Sequence, residues 1–405
     1  MNATGPHTNR PGSLDALDWD WLRARPGAKW HRVEPDVLPA WVADMDFPVA
    51  QPVRDALHRF IDGADIGYPD WPHGSPLRAA FTRRMHERYH WSPDPGQVRE
   101  FTDLIQALQV VLHLVTEPGD AVAVHTPNYP PFLGTVTRME RRLVPIPMLD
   151  TPSGWRFDPE HLAREAAATR CRTLLLVNPH NPTGRVFTRT ELQEIADTAR
   201  RNDMLVISDE IHADLTYPPN QHIPFASLDT DTASRTVTLT SATKAFNLAG
   251  TRCALAHLGA ESVRAAYDAQ PPDIFGAVNT VGVEAALAAW ERGGPWLDAV
   301  VSHLDDNRRL VADVFAEQLP ELGYHLPEAG YLAWLDFRAL GLGRDPAAKL
   351  REYGRVALSP GPEFGPGGEG FARLNFATSR TVLQNILERL VASIPRIQHE
   401  TATNP

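Results

Sequence analysis

A strand–helix–strand unit in the middle of the chain constrains the fold more than any other feature. The segment LLLVNPHNPTGRVF (174–187) starts as an apolar strand, and MLVISDEIHADL (204–215) starts as a second one. Between them, Thr188 and Glu191 form a capping box that is followed by apolar residues at helical spacing. Parallel sheets with flanking helices are assembled from such units. The sequence therefore predicts an α/β fold with a mostly parallel central sheet.

Polar residues stand at the carboxyl ends of three predicted strands. Asn181 and Asp209 lie at the carboxyl ends of the two strands of the unit. Ser241 and Lys244 follow a third predicted strand at 236–240. Open parallel sheets bind their ligands beyond the carboxyl ends of strands. Each of these side chains alone is a common turn former, helix cap or buried polar group. Four of them at one edge of a sheet indicate a ligand site.

Lys244 lies among small and apolar residues in the segment SATKAFNLAGTR. Partial removal from water lowers the pKa of an ammonium group, and a lysine that forms a Schiff base needs that change. Ser241 precedes Lys244 by three positions and Arg252 follows it by eight, and a hydroxyl with a guanidinium suits a phosphate. A phosphate beside such a lysine indicates pyridoxal 5′-phosphate (PLP), although S-x-x-K alone also occurs in penicillin-binding enzymes.

Length, charge and cysteine content restrict the partners and location of the protein. The 405 residues, of which 43% are hydrophobic, suffice for a large core and predict two domains. The net charge of −11 argues against nucleic acid or an anionic membrane as a partner. Cys171 and Cys253 border predicted strands and are interpreted as core residues, not as a disulfide or metal site. Without a signal-peptide pattern or an apolar run of about 18 residues, we expect a cytoplasmic protein.

Several motifs resemble those of a known family. HNPTG (180–184), SDEIH (208–212) and S-x-x-K with a following arginine resemble the class I/II aminotransferase family, the PLP enzymes of fold type I. The segment LPAWVADMDFPVAQPV (38–53) is similar to the cystathionine β-lyase or cysteine C–S lyase branch, the MalY/PatB type. GYPDWPHGSPLRAAF, TEPGDAVAVHTPNYPPF and GFARLNFATSR fit the same branch, so the resemblance covers nearly the whole chain.

The resemblance implies a large PLP-binding domain and a smaller α+β C-terminal domain. The implied division is an N-terminal segment that joins the small domain (1–46), the large domain (47–294), the small domain (295–397) and a tail (398–405). Residues 1–14 are predicted to form a second frayed end. The segment 359–370 is rich in proline and glycine, which is typical of a disordered linker. It directly precedes a strand-like RLNFA, so an ordered loop that shapes the site is an equal alternative.

The resemblance assigns roles around the cofactor ring. Lys244 is the catalytic lysine, and Asp209 holds the proton of the pyridine nitrogen, while the neighbouring Glu210 points to the opposite face. Asn181 donates a hydrogen bond to the phenolate oxygen. His212 contacts the same side of the ring, or is a core histidine bonded to backbone. Tyr129 is expected to bind the cofactor as well, by stacking on the face of the ring.

The phosphate is expected at the start of a helix near Thr102. Ser241 and Arg252 supply side-chain donors, and backbone N–H groups near Leu104 and Ile105 supply others. The branch usually has a glycine where this chain has Asp103. A carboxylate repels a phosphate unless it points away or pairs with a cation, so the position of these backbone donors depends on Asp103.

The resemblance also implies residues that contact the substrate. Arg373 matches the family position for the α-carboxylate, and by spacing alone Arg380 serves equally well. The backbone around Val42 and Ala43 closes over the same carboxylate. Tyr68 resembles a tyrosine that reaches the phosphate and substrate of the neighbouring subunit, which implies a homodimer with shared active sites.

The motifs define the cofactor more closely than the reaction. Lys244 acts as general base on the α-proton of an amino acid. Expulsion of a thiolate from the β-carbon then yields thiol, pyruvate and ammonia, whereas reprotonation yields transamination. The segment WVADMDF favours a PLP-dependent C–S β-lyase acting on cystathionine or another cysteine S-conjugate. The alternatives are an aminotransferase, a biosynthetic enzyme that oxidatively deaminates an S-conjugated cysteine, and a non-catalytic regulatory interaction protein.

Overall fold

The computed structural model describes residues 14–271 and 273–403. Its helices are α1 (Trp19–Arg23), α2 (Ala28–His31), α3 (Gln51–Asp62), α4 (Leu77–Tyr89), α5 (Leu104–Val115), α6 (Pro130–Arg138), α7 (Pro159–Thr169), α8 (Arg189–Arg201), α9 (Thr230–Ser234), α10 (Glu261–Asp268), α11 (Thr280–Arg292), α12 (Gly294–Gln318), α13 (Pro346–Gly354) and α14 (Arg380–Thr403). Its strands are β1 (Leu38–Pro39), β2 (Val98–Phe101), β3 (Ala121–Thr126), β4 (Arg142–Pro147), β5 (Leu149–Thr151), β6 (Gly154–Arg156), β7 (Thr173–Val177), β8 (Leu205–Asp209), β9 (Thr236–Thr240), β10 (Ala254–Leu258), β11 (Gly323–Tyr324), β12 (Leu332–Asp336), β13 (Val356–Ala357), β14 (Ser359–Pro360) and β15 (Phe371–Asn375).

The predicted strand–helix–strand unit is β7, α8 and β8. The capping box is complete: the Thr188 hydroxyl accepts from the backbone N–H of Glu191 at 3.2 Å, and the Glu191 carboxylate accepts from the backbone N–H of Thr188 at 2.7 Å. Helix α8 buries the apolar face that the periodicity predicts, formed by Leu192, Ile195, Ala196 and Ala199. The unit is confirmed.

The central sheet has seven strands in the order β2-β10-β9-β8-β7-β3-β4. Strand β10 runs antiparallel to β2 and β9, and the other pairings are parallel. Helices α7 and α8 pack on one face and α5, α6 and α10 on the other. Strands β3, β7 and β9 are therefore buried along their whole length. The predicted α/β class with a mostly parallel sheet is confirmed.

A second, antiparallel sheet has the order β11-β12-β15-β14. The N-terminal strand β1 pairs in parallel with β13, so the start of the chain is joined to its C-terminal part. Gly293 separates α11 from α12, close to the predicted boundary between residues 294 and 295, and the division into two domains stays a prediction. Residues 398–403 continue α14, which corrects the expectation of a frayed tail there. The predicted tail at 1–14, except for Leu14, lies outside the described residues.

The segment 359–370 is an ordered loop and not a linker. It begins with β14 and continues through a 3₁₀ turn at Gly361–Phe364, in which the Phe364 side chain is 1% exposed. A Cβ atom on Gly361 would lie 2.2 Å from the carbonyl oxygens of both Gly368 and Phe371, so glycine is required for this close backbone approach. The alternative of an ordered loop is therefore correct.

Both cysteines are buried and free. The Cys171 Sγ lies 3.2 Å from the carbonyl oxygen of Ala121 and 3.1 Å from that of Thr173, as expected of a core residue. Across the described residues, no helix combines the length and apolar character that crossing a membrane requires.

Candidate functional site

A cavity of about 600 Å³ lies at the carboxyl ends of β7, β8 and β9. The structure brings most of the predicted site residues to its walls: Ala43, Ile105, Tyr129, Asn181, Asp209, His212, Ser241, Lys244 and Arg252. A second cavity, of about 750 Å³, lies between Trp155 and Glu328 and is lined by none of them. The convergence of residues from distant parts of the chain makes the first cavity the candidate site.

Lys244 follows β9 in a turn and points into the cavity. Its Nζ donates a hydrogen bond to the carbonyl oxygen of Ala43 at 2.8 Å, and the same oxygen accepts from the hydroxyl of Tyr331 at 2.8 Å. Loss of hydration lowers the pKa of Lys244, and the nearby Arg373 charge lowers it as well. The amine is thereby closer to the neutral form that a nucleophile or base requires.

Asp209 ends β8 and is 4% exposed. One carboxylate oxygen accepts from the backbone N–H of Ile211 at 3.1 Å, and no described residue forms an ion pair with it. Burial is the main cause that raises the pKa of Asp209 to about 7, and the charge of Glu210 acts in the same direction. Glu210 points away from the cavity, as predicted, and accepts hydrogen bonds from Ser208 and Phe225. The cavity thus presents a buried carboxylate that a cation would stabilise.

Arg373 reaches Asn181 from the second sheet. Its Nη1 donates to the Asn181 side-chain oxygen at 3.0 Å, and its guanidinium lies 4.9 Å from the centre of the Phe364 ring. Because the amide oxygen of Asn181 faces Arg373, the amide nitrogen is left as a donor toward the cavity. Arg380 is exposed at the start of α14, and its backbone N–H bonds to Asp15. Geometry therefore separates the two arginines that spacing left equivalent.

His212 and Tyr129 line the cavity as a neutral imidazole and a phenol. Burial is the main cause that lowers the pKa of His212 to about 3, and the charges of Lys244 and Arg373 act in the same direction. Its Nδ1 is buried and has no hydrogen-bond partner among the described residues. Tyr129 directly precedes α6, and its ring packs edge-on against Phe132 with centroids 5.3 Å apart. Burial raises the pKa of Tyr129, so the hydroxyl keeps its proton at neutral pH.

The start of α5 forms one end of the cavity. The helix begins at Leu104, two residues after Thr102, as predicted. Asp103 is extended and caps it: a side-chain oxygen accepts from the backbone N–H of Gln106 at 2.8 Å. The other carboxylate oxygen forms an ion pair with Arg252. The expected repulsion by Asp103 is thus met by pairing with a cation, and the N–H groups of the first turn remain without intrahelical acceptors.

Ser241 lies beside this end of the cavity. Its hydroxyl donates to the carbonyl oxygen of Cys253 at 2.6 Å and accepts from the backbone N–H of Thr243 at 3.0 Å. Ser241 is 5% exposed and lines the same wall as Arg252. The guanidinium and the helix N-terminus that border this end of the cavity are donors suited to an anion. The Ser241 hydroxyl joins them only by turning its one proton away from Cys253.

Comparison with known proteins agrees with this geometry. The model of the family described as aminotransferase class I and II matches residues 42–390. The chain belongs to the aminotransferase class I and II family. It is 34% identical over 363 residues to cystathionine β-lyase PatB of Bacillus subtilis, covering 89% of this chain and 93% of PatB. It is 31% identical to the protein MalY of Escherichia coli, over 94% of this chain and 96% of MalY.

A solved structure shares this architecture. Cystalysin from Treponema denticola, whose crystal structure contains pyridoxal 5′-phosphate, superposes with a TM-score of 0.86 and 30% sequence identity. The match covers 95% of this chain and 96% of cystalysin. The resemblance inferred from the motifs, to the MalY/PatB branch of fold type I, is confirmed.

Two predicted site residues, Tyr68 and Arg373, do not line this cavity. Arg373 lies behind Asn181, to which it is bonded, whereas Tyr68 lies away from the cavity of its own chain. The Tyr68 side chain is fully exposed, and the neighbouring Ile61 and Ile66 are 54% and 59% exposed. Ile274 is exposed as well, at 57%. Within the part of the chain that the structure describes, these are most of the large apolar side chains left in solvent.

Some residues of the site were missed by sequence reasoning. Tyr331 bonds to the same carbonyl oxygen as Lys244, and Ser359 bonds to Arg373 at 3.2 Å. Gln106 accepts from both the backbone and the hydroxyl of Thr102 at the start of α5. None of the three stands in a motif quoted for the family. One local feature points to Tyr331: the preceding residue is a glycine, Gly330. Its φ of 77° is positive, a backbone conformation that favours glycine and is typical of a turn.

Proposed function

We propose that this chain is a PLP-dependent C–S β-lyase that cleaves a cysteine S-conjugate such as cystathionine. The observation that carries the proposal is one cavity holding both Lys244, with a lowered pKa, and the buried carboxylate of Asp209. The residues present fit PLP: an amine for its aldehyde, a buried acid for its ring nitrogen, and donors for its phosphate. Cystalysin, which shares the fold, contains PLP.

The proposed cofactor contacts follow from the positions of the side chains. Asp209 holds the proton of the ring nitrogen by charge pairing, since no described cation occupies that role. The Asn181 amide nitrogen donates to the phenolate oxygen, because Arg373 fixes the amide orientation. The rest of the proposed set comprises Tyr129 and His212 beside the ring, and Ser241, Arg252 and the N–H of Ile105 on the phosphate.

When bound, PLP supplies an electron sink for the electron pair released at the substrate α-carbon. Lys244 removes the α-proton, and its lowered pKa provides the neutral amine for that transfer. Arg373 binds the substrate carboxylate and thereby orients the α-carbon toward Lys244. The bond between the β-carbon and sulfur then breaks, the thiolate leaves with the bonding pair, and addition of water yields pyruvate and ammonia.

The segment WVADMDF (41–47) favours cleavage over amino transfer. It distinguishes the lyase branch, and it contacts the catalytic lysine through the Ala43 carbonyl oxygen. Two further bonds, from Asn375 Nδ2 to the carbonyl oxygens of Val42 and Asp44, hold it in place at 2.6 and 2.7 Å. The similarity to PatB supports the same reaction.

The test is a product assay without a keto acid. The loaded protein is incubated with cystathionine or an S-alkyl-cysteine, and free thiol and pyruvate are measured separately. We expect the two products in equal amounts. Alanine with 2-oxoglutarate is the parallel reaction. Rapid amino transfer there, with no thiol from the conjugates, would replace the lyase by an aminotransferase.

We also propose that two chains form a homodimer with shared active sites. Tyr68 is fully exposed in one chain and stands near exposed isoleucines, Ile61 and Ile66. An exposed apolar group of this kind is typical of a surface that another protein covers. In the dimer, Tyr68 of each chain contributes a donor to the phosphate and substrate in the other chain's cavity.

Mixed dimers test the shared site. Tyr68→Phe chains and Lys244→Ala chains are each expected to be poorly active alone. In a mixed dimer, one cavity combines an intact Lys244 with an intact Tyr68, so activity is expected to return to that site. A fully active monomer in solution would contradict the proposal.

A further inference from the structure

The phosphate end of the cavity contains an internal ion pair. One carboxylate oxygen of Asp103 pairs with Nη2 of Arg252, and the other accepts from the backbone N–H of Gln106. Among the described residues that line the cavity, Arg252 is the arginine and Lys244 the lysine. In the proposed function, Lys244 binds the aldehyde of the cofactor and not its phosphate. The single cation available to a phosphate is therefore already paired with a carboxylate.

This arrangement makes the cavity end neutral before a phosphate arrives. A phosphate monoester carries a charge of about −1.5 to −2 at pH 7. It attracts the Arg252 guanidinium and repels the Asp103 carboxylate, whose side chain is 25% exposed and only partly screened by solvent. Binding must weaken the existing ion pair, or the guanidinium must be shared between two anions.

We propose that Asp103 competes with the cofactor phosphate for Arg252 and so reduces the affinity of the protein for PLP. Asp103 is thus a residue that sets the strength of cofactor binding. The inference rests on the proposed function, because that function places the phosphate here. It concerns the phosphate alone and leaves the bond to Lys244 unaffected.

The charge of Asp103 is separable from its structural role. Asparagine and serine cap helices about as well as aspartate, through the same hydrogen bond to a backbone N–H of the first turn. Asp103→Asn therefore keeps an acceptor for Gln106 and removes the competing charge. Asp103→Ser does the same with a shorter side chain. A matched control is Asp158→Asn, because Asp158 caps α7 by accepting from His161 at 3.0 Å and does not line the cavity.

The experiment measures cofactor affinity with two aldehydes. Full-length chains freed of cofactor are titrated with PLP and, separately, with pyridoxal, which lacks the phosphate. The imine absorbance gives the dissociation constants. We expect Asp103→Asn and Asp103→Ser to bind PLP about tenfold more tightly than the unmodified chain, equivalent to about 1.4 kcal/mol. Pyridoxal affinity is expected to be unchanged, and Asp158→Asn is expected to match the unmodified chain with both aldehydes.

Each other outcome is decisive. Unchanged or weaker PLP binding in both Asp103 variants would overturn the inference, and weaker binding would show that Asp103 orients Arg252 for the phosphate. Equal tightening for PLP and pyridoxal would overturn it too, since the phosphate would not be the cause. Absence of any Lys244-dependent absorbance with either aldehyde, in all chains, would overturn the proposed function and this inference with it.

Discussion

Replacing Arg373 by lysine tests how the site holds a substrate carboxylate. Arg373 is 4% exposed, and burial lowers its pKa to about 10, so it remains charged at neutral pH. A guanidinium has five N–H groups. Three of them donate, to Asn181, Ser359 and the carbonyl oxygen of Trp41. The other two N–H groups have no acceptor among the described residues, so two remain for a ligand.

The magnitude follows from those free donors. A hydrogen bond between charged groups contributes about 1.5–3 kcal/mol. Lysine at position 373 keeps the positive charge but loses the planar fork, so about one such bond to the substrate carboxylate is lost. Since about 1.4 kcal/mol is a factor of ten, KM is expected to rise about 10- to 140-fold. The carboxylate carries the same charge throughout the reaction, so kcat is expected to change much less.

The assay is steady-state thiol release over a range of cystathionine concentrations. Arg380→Lys is the matched control, because Arg380 is exposed and its backbone bonds to Asp15, whereas Arg373 is buried and bonds to Asn181 in the cavity wall. Both variants are expected to keep the imine absorbance of the bound cofactor. A raised KM in Arg380→Lys with an unchanged KM in Arg373→Lys would refute the assignment of the carboxylate site.

Three further predictions concern the cofactor and the core. Lys244→Ala is expected to lose the imine absorbance and nearly all turnover, and normal activity would contradict the PLP assignment. Asp209→Asn is expected to bind PLP but to turn over on the order of 10²–10³-fold more slowly, because the ring nitrogen loses its charge partner; a wild-type rate would refute that role. His125 is buried with its pKa lowered to about 4, below the 6.5 of an exposed histidine, so the stability linked to its neutral form is present above pH 6.5 and is lost as the pH falls. His125→Leu should therefore reduce the decrease in the free energy of unfolding between pH 6.5 and pH 5.5 by about 1 kcal/mol, measured by urea denaturation, and an unchanged decrease would contradict it.

The parts of the site that the sequence predicts are those specified by local pattern. The capping box at Thr188 and Glu191 and the strand before Lys244 depend on neighbours a few residues apart. The side of the sheet that Asp209 and Glu210 face follows from the alternation of a strand. These features need no knowledge of the rest of the fold, and the structure has them as predicted.

The parts that sequence reasoning could not supply depend on contacts between distant segments. Spacing left Arg373 and Arg380 equivalent, and the choice comes from the pairing of β15 with β12 and β14, which directs Arg373 toward Asn181. The ion pair between Asp103 and Arg252 joins residues that are about 150 positions apart in the sequence, so no local pattern predicts it. The contact of Arg373 requires that the two sheets are assembled, and the ion pair requires the pairing of β2 with β10 within the central sheet.

The contact between Lys244 and Ala43 shows why the segment that distinguishes the lyase branch needs the C-terminal sheet. Residues 41–44 have no regular structure of their own and follow β1, which is held by β13. Asn375, at the end of β15, and Tyr331, before β12, bond to their carbonyl oxygens. The strand that carries Arg373 therefore also positions the backbone over Lys244. In the proposed function, substrate binding at Arg373 and placement of the Lys244 amine are therefore coupled through one strand, which links recognition of the carboxylate to the geometry of proton removal.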